Sequence, residues 1–175
     1  MIDGKMFEKI FKGKVVIVGV GNVLRGDDGL GPVFVERLKS KVGVPCINAG
    51  NAFENYLGVI MRERPDTVLL VDAVHLDMNP GEFAIVDPNG IEHGGLSTHD
   101  VSPSLFLNFL VEEIQCNVFL LGVQPERIEL GTGISRTVRE TLVVLENEVA
   151  EALGRGDYNS SDHVTSESIA ALGLQ

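Results

Sequence analysis

Uninterrupted apolar runs and stretches of helical spacing follow one another along this chain, and their order predicts its architecture. The run Val15-Val16-Ile17-Val18 marks a strand over about 14–20, apolar on both faces and therefore covered on both sides. Leu30, Val33, Phe34 and Leu38 then recur at helical spacing, which predicts a helix over about 29–40. Pro32 is tolerated in its first turn, where backbone N–H groups have no intrahelical partner. A second strand is expected over about 44–48, followed by a helix over about 53–63 built on Phe53, Leu57, Ile60 and Met61 and stopped by Pro65-Asp66. Thr67 to Val71 forms a third apolar strand that runs straight into Asp72. Asn79-Pro80-Gly81 turns the chain, and the strand Glu82 to Val86 arrives too soon for a helical crossover, so it is expected to be antiparallel. A loop over 87–101 contains His93 and His99, and Ser102-Pro103 opens a helix over about 103–114. A strand over 118–123 ends at Gln124-Pro125, and a long helix over about 135–153 carries Val138, Leu142, Leu145, Val149 and Leu153 on one face. A short amphipathic piece at 5–12 precedes the whole series.

This alternation predicts an α/β fold, a three-layer sandwich. Its sheet is mostly parallel, twisted and five-stranded, with one antiparallel strand and helices on both faces. Residues 1–153 read as a single α/β domain. From Gly154 the composition turns to Gly, Ser, Asp and Asn, so residues 154–175 read as a polar tail.

Composition narrows the function classes. The formal net charge is −11 at pH 7 with no basic patch, which argues against nucleic acid and anionic membranes as partners. Every apolar run falls far short of the roughly 20 residues that cross a bilayer, and no apolar leader opens the chain. Cys46 and Cys116 lie in strand-like runs without a CxxC pairing. They read as buried thiols of a reducing compartment, so the expected location is cytoplasmic.

The candidate chemistry gathers where the first strand hands over to its helix. Gly21, Gly26, Gly29 and Gly31 surround the adjacent acids Asp27 and Asp28. In an open α/β sheet that place is the carboxyl edge, and ligands bind there where the strand order reverses. Asp72 ends the third strand and would stand across the same crevice if strands one and three are neighbours. Two carboxylates and an imidazole, with His99 as the third member, can hold a divalent transition metal such as Zn or Ni and leave positions open. No HExxH or CxxC spacing accompanies them. Other readings stay open at this point. Asp27 or Asp28 could cap the following helix, Asp72 could be a hydrogen-bonded structural acid, and His99 could be an exposed loop residue, as His75, His93 and His163 are read. Gln124 either lines the crevice or caps a turn.

Three other chemistries fit less well. Gly19-Val20-Gly21 resembles the start of a dinucleotide fingerprint, but the spacing from Gly19 is GxGxxxxG, and Asp27 and Asp28 would stand where a pyrophosphate must sit. Nucleophilic hydrolysis lacks a GxSxG elbow and a cysteine at a helix start. An acid dyad that activates water without a metal remains a competitor, because two carboxyls held close cannot both ionise freely. A non-catalytic docking module is the remaining alternative.

The motifs as a set resemble those of the nickel–iron hydrogenase maturation endopeptidases. Gly21-Asn22, Gly26-Asp27-Asp28-Gly29 and Gly31 match the family's GNxxxGDDGxG signature. Leu69-Leu70-Val71-Asp72-Ala73, Asn79-Pro80-Gly81-Glu82, Ser97-Thr98-His99-Asp100 and Leu121-Gly122-Val123-Gln124-Pro125 follow in the family's order, over about residues 14–153. The resemblance implies an endopeptidase that removes the C-terminal extension of the hydrogenase large-subunit precursor after nickel insertion. The substrate-borne nickel would be the recognition element, not necessarily held by the free enzyme. It implies metal contact by Asp28, Asp72 and His99 and catalysis by Asp28 and Asp72. Asn22, Gly26, Asp27, Gly29 and Gln124 would then shape or support the loop.

Overall fold

The structure, a computed structural model, describes residues 5–86 and 110–155. Within them a five-stranded sheet has the order β2-β1-β3-β5-β4. Its strands are β1 (Val15–Val20), β2 (Cys46–Gly50), β3 (Thr67–Ala73), β4 (Phe83–Val86) and β5 (Asn117–Val123). β1 pairs in parallel with β2 and β3, β3 pairs in parallel with β5, and β4 runs antiparallel to β5. This is the mixed sheet expected from the sequence. β4 is antiparallel for the expected reason: the tight turn in which Glu82 N donates to Asn79 O at 3.0 Å leaves no length for a crossover.

Helices α1 (Met6–Ile10), α2 (Leu30–Leu38) and α4 (Arg136–Arg155) share one face of the sheet, and α3 (Leu57–Glu63) lies on the other. The period-two alternation of side chains along each strand builds two cores. Val15, Ile17, Leu69, Val71, Leu121 and Val123 face Phe34, Leu38, Leu142 and Leu145. Val16, Val18, Val68, Leu70 and Leu120 face Phe53 and Ile60, with Val111 and Ile114 packed against them. A strand with cores on both sides must be apolar at every position, and β1 is buried throughout except for its last residue.

Several boundaries differ from the sequence reading. The second strand begins at Cys46, because Pro45 has no N–H and contributes only its carbonyl, which accepts from Ile17 N. The helices expected over 29–40 and 53–63 are shorter, and each is preceded by a 3-10 turn, Gly26–Gly29 and Phe53–Tyr56. α4 continues through Gly154 to Arg155, past the expected start of the polar tail. Of the helix expected over 103–114, only the π turn Leu110–Ile114 is described. The 87–101 loop with His93 and His99, and the tail from residue 156 with His163, lie outside the described residues. No helix among the described residues is long and apolar enough to cross a membrane.

Candidate active site

The chain goes from β1 across one helix to β2, then returns past β1 to β3 on its other side. The strand order therefore reverses between β1 and β3, and a crevice opens there at the carboxyl edge. The turn leaving β1 and the last residues of β3 meet in this crevice.

The turn is built for close approach. Gly21 has φ +130°, and a Cβ on it would overlap the Asp28 carbonyl while lying 3.7 Å from Asp72 Oδ1. Only a residue without a side chain lets the Asp28 backbone and the Asp72 carboxyl flank that point. Gly21 N donates to Gly50 O at 2.8 Å, which ties the turn to the end of β2. Gly26, at φ +59°, leaves room for Thr132 Oγ1 and Arg127 O, and a Cβ on Gly29 would come within 2.7 Å of Val23 Cα. Asn22 holds the turn from inside: its Oδ1 accepts from Leu24 N at 3.0 Å, and its N–H donates to Asp28 Oδ2 at 3.0 Å.

The two adjacent acids have different surroundings. Asp27 is wholly buried, and its carboxylate accepts three backbone hydrogen bonds, from Glu126 N at 2.8 Å, Arg127 N at 3.1 Å and Ser135 N at 2.6 Å. It anchors the loop after β5 and the start of α4 to the turn after β1. Asp28 is also buried but stands on the crevice side with Asp72. Neither acid caps α2, whose N-cap is Gly29 without a side-chain bond. The capping alternative is thereby overturned, since the intervening 3-10 turn moves the helix start beyond both carboxyls.

Asp72 is half-buried near the end of β3, paired in register with Gly122, and its Oδ1 accepts from Ala73 N at 2.8 Å. Burial, reinforced by the neighbouring Asp28 carboxylate, raises its pKa to about 8, against a smaller opposing pull from the Ala73 N–H. At neutral pH Asp72 therefore keeps a proton beside a second carboxyl.

Gln124 is buried and braces the loop after β3. Its Oε1 accepts from Leu76 N at 2.7 Å, its Nε2 donates to Pro125 O at 3.3 Å, and its backbone pairs with Glu82 and Gly81 at 2.8 Å each. The same Nε2 lies 3.5 Å from Nδ1 of the exposed His75, a proximity that no spacing in the sequence signals. Ser135 and the Glu126-Arg127 backbone are further parts of the site's frame that the sequence reading missed. For Ser135 a signal existed: it precedes a helix, and its Oγ accepts from Val138 N at 3.4 Å, the pattern of an N-cap.

The structure thus brings together Asp28 and Asp72, with Asn22, Gly26, Asp27 and Gly29 forming the frame. The third expected metal contact, His99, lies outside the described residues, and among those described no group of three or more metal-ligating side chains gathers. What the pair can do alone is share a proton, donate or accept one at a bound substrate, or exchange the proton for a cation.

Comparison with known proteins shows what the chain as a whole is similar to. The family model for hydrogenase maturation proteases matches residues 33–152. The hydrogenase 3 maturation protease of Escherichia coli K12 is 31% identical over 146 residues, which cover 82% of this chain and 93% of that protein. The crystal structure of the [NiFe] hydrogenase maturation protease HycI from Thermococcus kodakarensis superposes with a TM-score of 0.79 at 35% identity, covering 85% of this chain and 98% of that one. The solution structure of the endopeptidase HycI from Escherichia coli gives 0.71 at 27% identity, over 86% and 99% of the two chains.

Proposed function

Because this chain belongs to the hydrogenase maturation protease family, we propose that it is the endopeptidase that cuts the C-terminal extension from a nickel–iron hydrogenase large-subunit precursor once nickel is in place. The observation that carries the proposal is the Asp28–Asp72 pair at the switch point between β1 and β3. Burial and a like-charged neighbour leave Asp72 holding a proton that a divalent cation would replace, so the pair suits a cation better than a substrate anion. Carboxylates, and the imidazole of His99 as third contact, form a donor set that suits nickel. The metal belongs to the substrate in this reading: it marks a correctly loaded precursor and supplies Lewis acidity at the peptide when bound. Asp28 and Asp72 orient the scissile peptide and move the proton that hydrolysis requires. Asn22, Gly26, Asp27 and Gly29 keep the turn rigid, and Gln124 fixes the loop behind Asp72. We assign the work to the cytoplasm, consistent with Cys46, half-buried rather than buried as expected, and the buried Cys116 as thiols outside any disulfide, whose ionisation burial suppresses.

The same raised Asp72 supports a second reading, an acid dyad that activates water with no metal. Single substitutions weigh the site itself. Asp28→Ala, Asp72→Ala and His99→Ala are each expected to abolish processing of the nickel-loaded precursor, followed by intact-mass spectrometry, while circular dichroism stays that of the parent. Near-normal processing by His99→Ala would remove the imidazole and leave the dyad.

A further inference from the structure

Outward-facing apolar side chains are unevenly placed on this molecule. Among the described residues seven large hydrophobics are exposed, and four of them, Val23, Leu24, Met78 and Leu130, stand on loops leaving the carboxyl ends of β1, β3 and β5. The other three, Met61, Val143 and Val144, lie on the outer faces of α3 and α4. Leu130 and Leu24 are the most exposed of all, at 77% and 64%. The backbone holds them side by side, because Gly131 N donates to Leu24 O at 2.8 Å. Gly26 N to Thr132 O at 3.1 Å and Asp27 N to Arg127 O at 3.0 Å continue the same ladder. Leucines fixed in water by their own backbone cannot turn away from it, and clustered exposure of this kind marks a recognition surface. Arg25, next to Leu24 in the turn, is half-buried, and its guanidinium has no ion pair among the described residues, which disfavours a basic occupant.

We infer that Val23, Leu24 and Leu130 form a preorganised apolar lip that takes up apolar side chains of the large-subunit precursor next to its scissile bond. The inference rests on the endopeptidase reading above. The occupant follows from continuity: Val23 and Leu24 lie on the turn that carries Asp28, Leu130 is bonded to that turn through Gly131 N, and both stand on the carboxyl edge where the Asp28–Asp72 crevice opens. Because the ladder is already formed, little ordering has to accompany binding, and the apolar contact is realised as affinity.

The test compares full-length variants against the nickel-loaded precursor, with binding followed by biolayer interferometry and cleavage by intact mass in parallel. Leu24→Ser combined with Leu130→Ser is expected to weaken binding about tenfold, the effect of losing two modest interface anchors, and to raise KM by the same factor. Leu24→Met with Leu130→Met should restore it. Val143→Ser with Val144→Ser, exposed apolar positions on α4 away from the carboxyl edge, should bind like the parent. Should the double serine variant melt early, Leu130→Ser alone, on an exposed turn, replaces it. Parent-like binding by the lip variant, or an equal loss in the α4 variant, would overturn the inference. The endopeptidase reading fails separately: a parent chain that binds the precursor without cutting it defeats that reading, and the lip comparison still decides. A parent chain that does not bind the precursor at all defeats both.

Discussion

Asp27 and Asp28 are neighbours in sequence with opposite duties, and the difference comes from what each carboxyl meets. Asp27 satisfies three backbone N–H groups from distant segments. Asp27→Ala would leave those donors buried without an acceptor and should cost about 3 kcal/mol or more of stability, read as an early thermal melt together with lost activity. Asp28→Ala takes away the acceptor of Asn22 N and the carboxyl beside Asp72, so processing of the loaded precursor should disappear. Asp72 supplies a signed pH test. Its folded pKa is raised from 3.8 to about 8, so between those values the folded chain holds a proton that the unfolded chain has lost, and stability falls as pH rises across that window. Asp72→Asn removes this liability. The variant should melt with the parent near pH 4 and be more stable by up to about 5 kcal/mol at pH 8, measured by chemical denaturation. The pairing of Asp28 with Asp72 was legible in the sequence only on the condition that strands one and three are neighbours, which the sheet order meets. The task of Asp27 was not, because its partners lie about a hundred residues away. His75 gave no signal either, as an exposed histidine in a polar loop looks the same whether or not it meets Gln124.

At the level of elements, the frame of the site is a ladder between the turn after β1 and the loop after β5, and α4 is held by polar contacts at its head and at its middle. Near the site, Asp27 bonds Ser135 N at the head of α4. Further along, the wholly buried Glu146 is gripped by Arg37 Nε and Lys41 Nζ, each at 2.8 Å, which clamps α4 to α2 and to the residues just beyond it. Both cations are about two-fifths exposed and can return to water. Glu146→Ala should therefore cost about 1–2 kcal/mol, less than breaking a fully buried pair, and should leave cleavage of saturating precursor unchanged. The elements themselves were legible because period-two and helical patterns survive any tertiary context. Their ends were less so: the 3-10 turn at Gly26 depends on backbone hydrogen bonds to Thr132 and Arg127, about a hundred residues away, and the second strand starts at Cys46, after Pro45.

For the whole molecule, strand order matters most, since β2-β1-β3 creates the switch point and thereby the site. Strand–helix alternation limits the possible orders to a few, and the short β4 connection fixes one edge, so the architecture could be read before any coordinate. Loop contacts across the carboxyl edge could not, and they decide which acids face each other. The acidic edge that results repels a pyrophosphate, and the crevice suits a cation or a shared proton. Whether the substrate's nickel is the recognition element is decided by incubating the chain with nickel-loaded and, separately, nickel-free large-subunit precursor, and weighing the products by intact-mass spectrometry. The account predicts loss of the C-terminal extension from the loaded precursor alone; equal cleavage of both forms would contradict it.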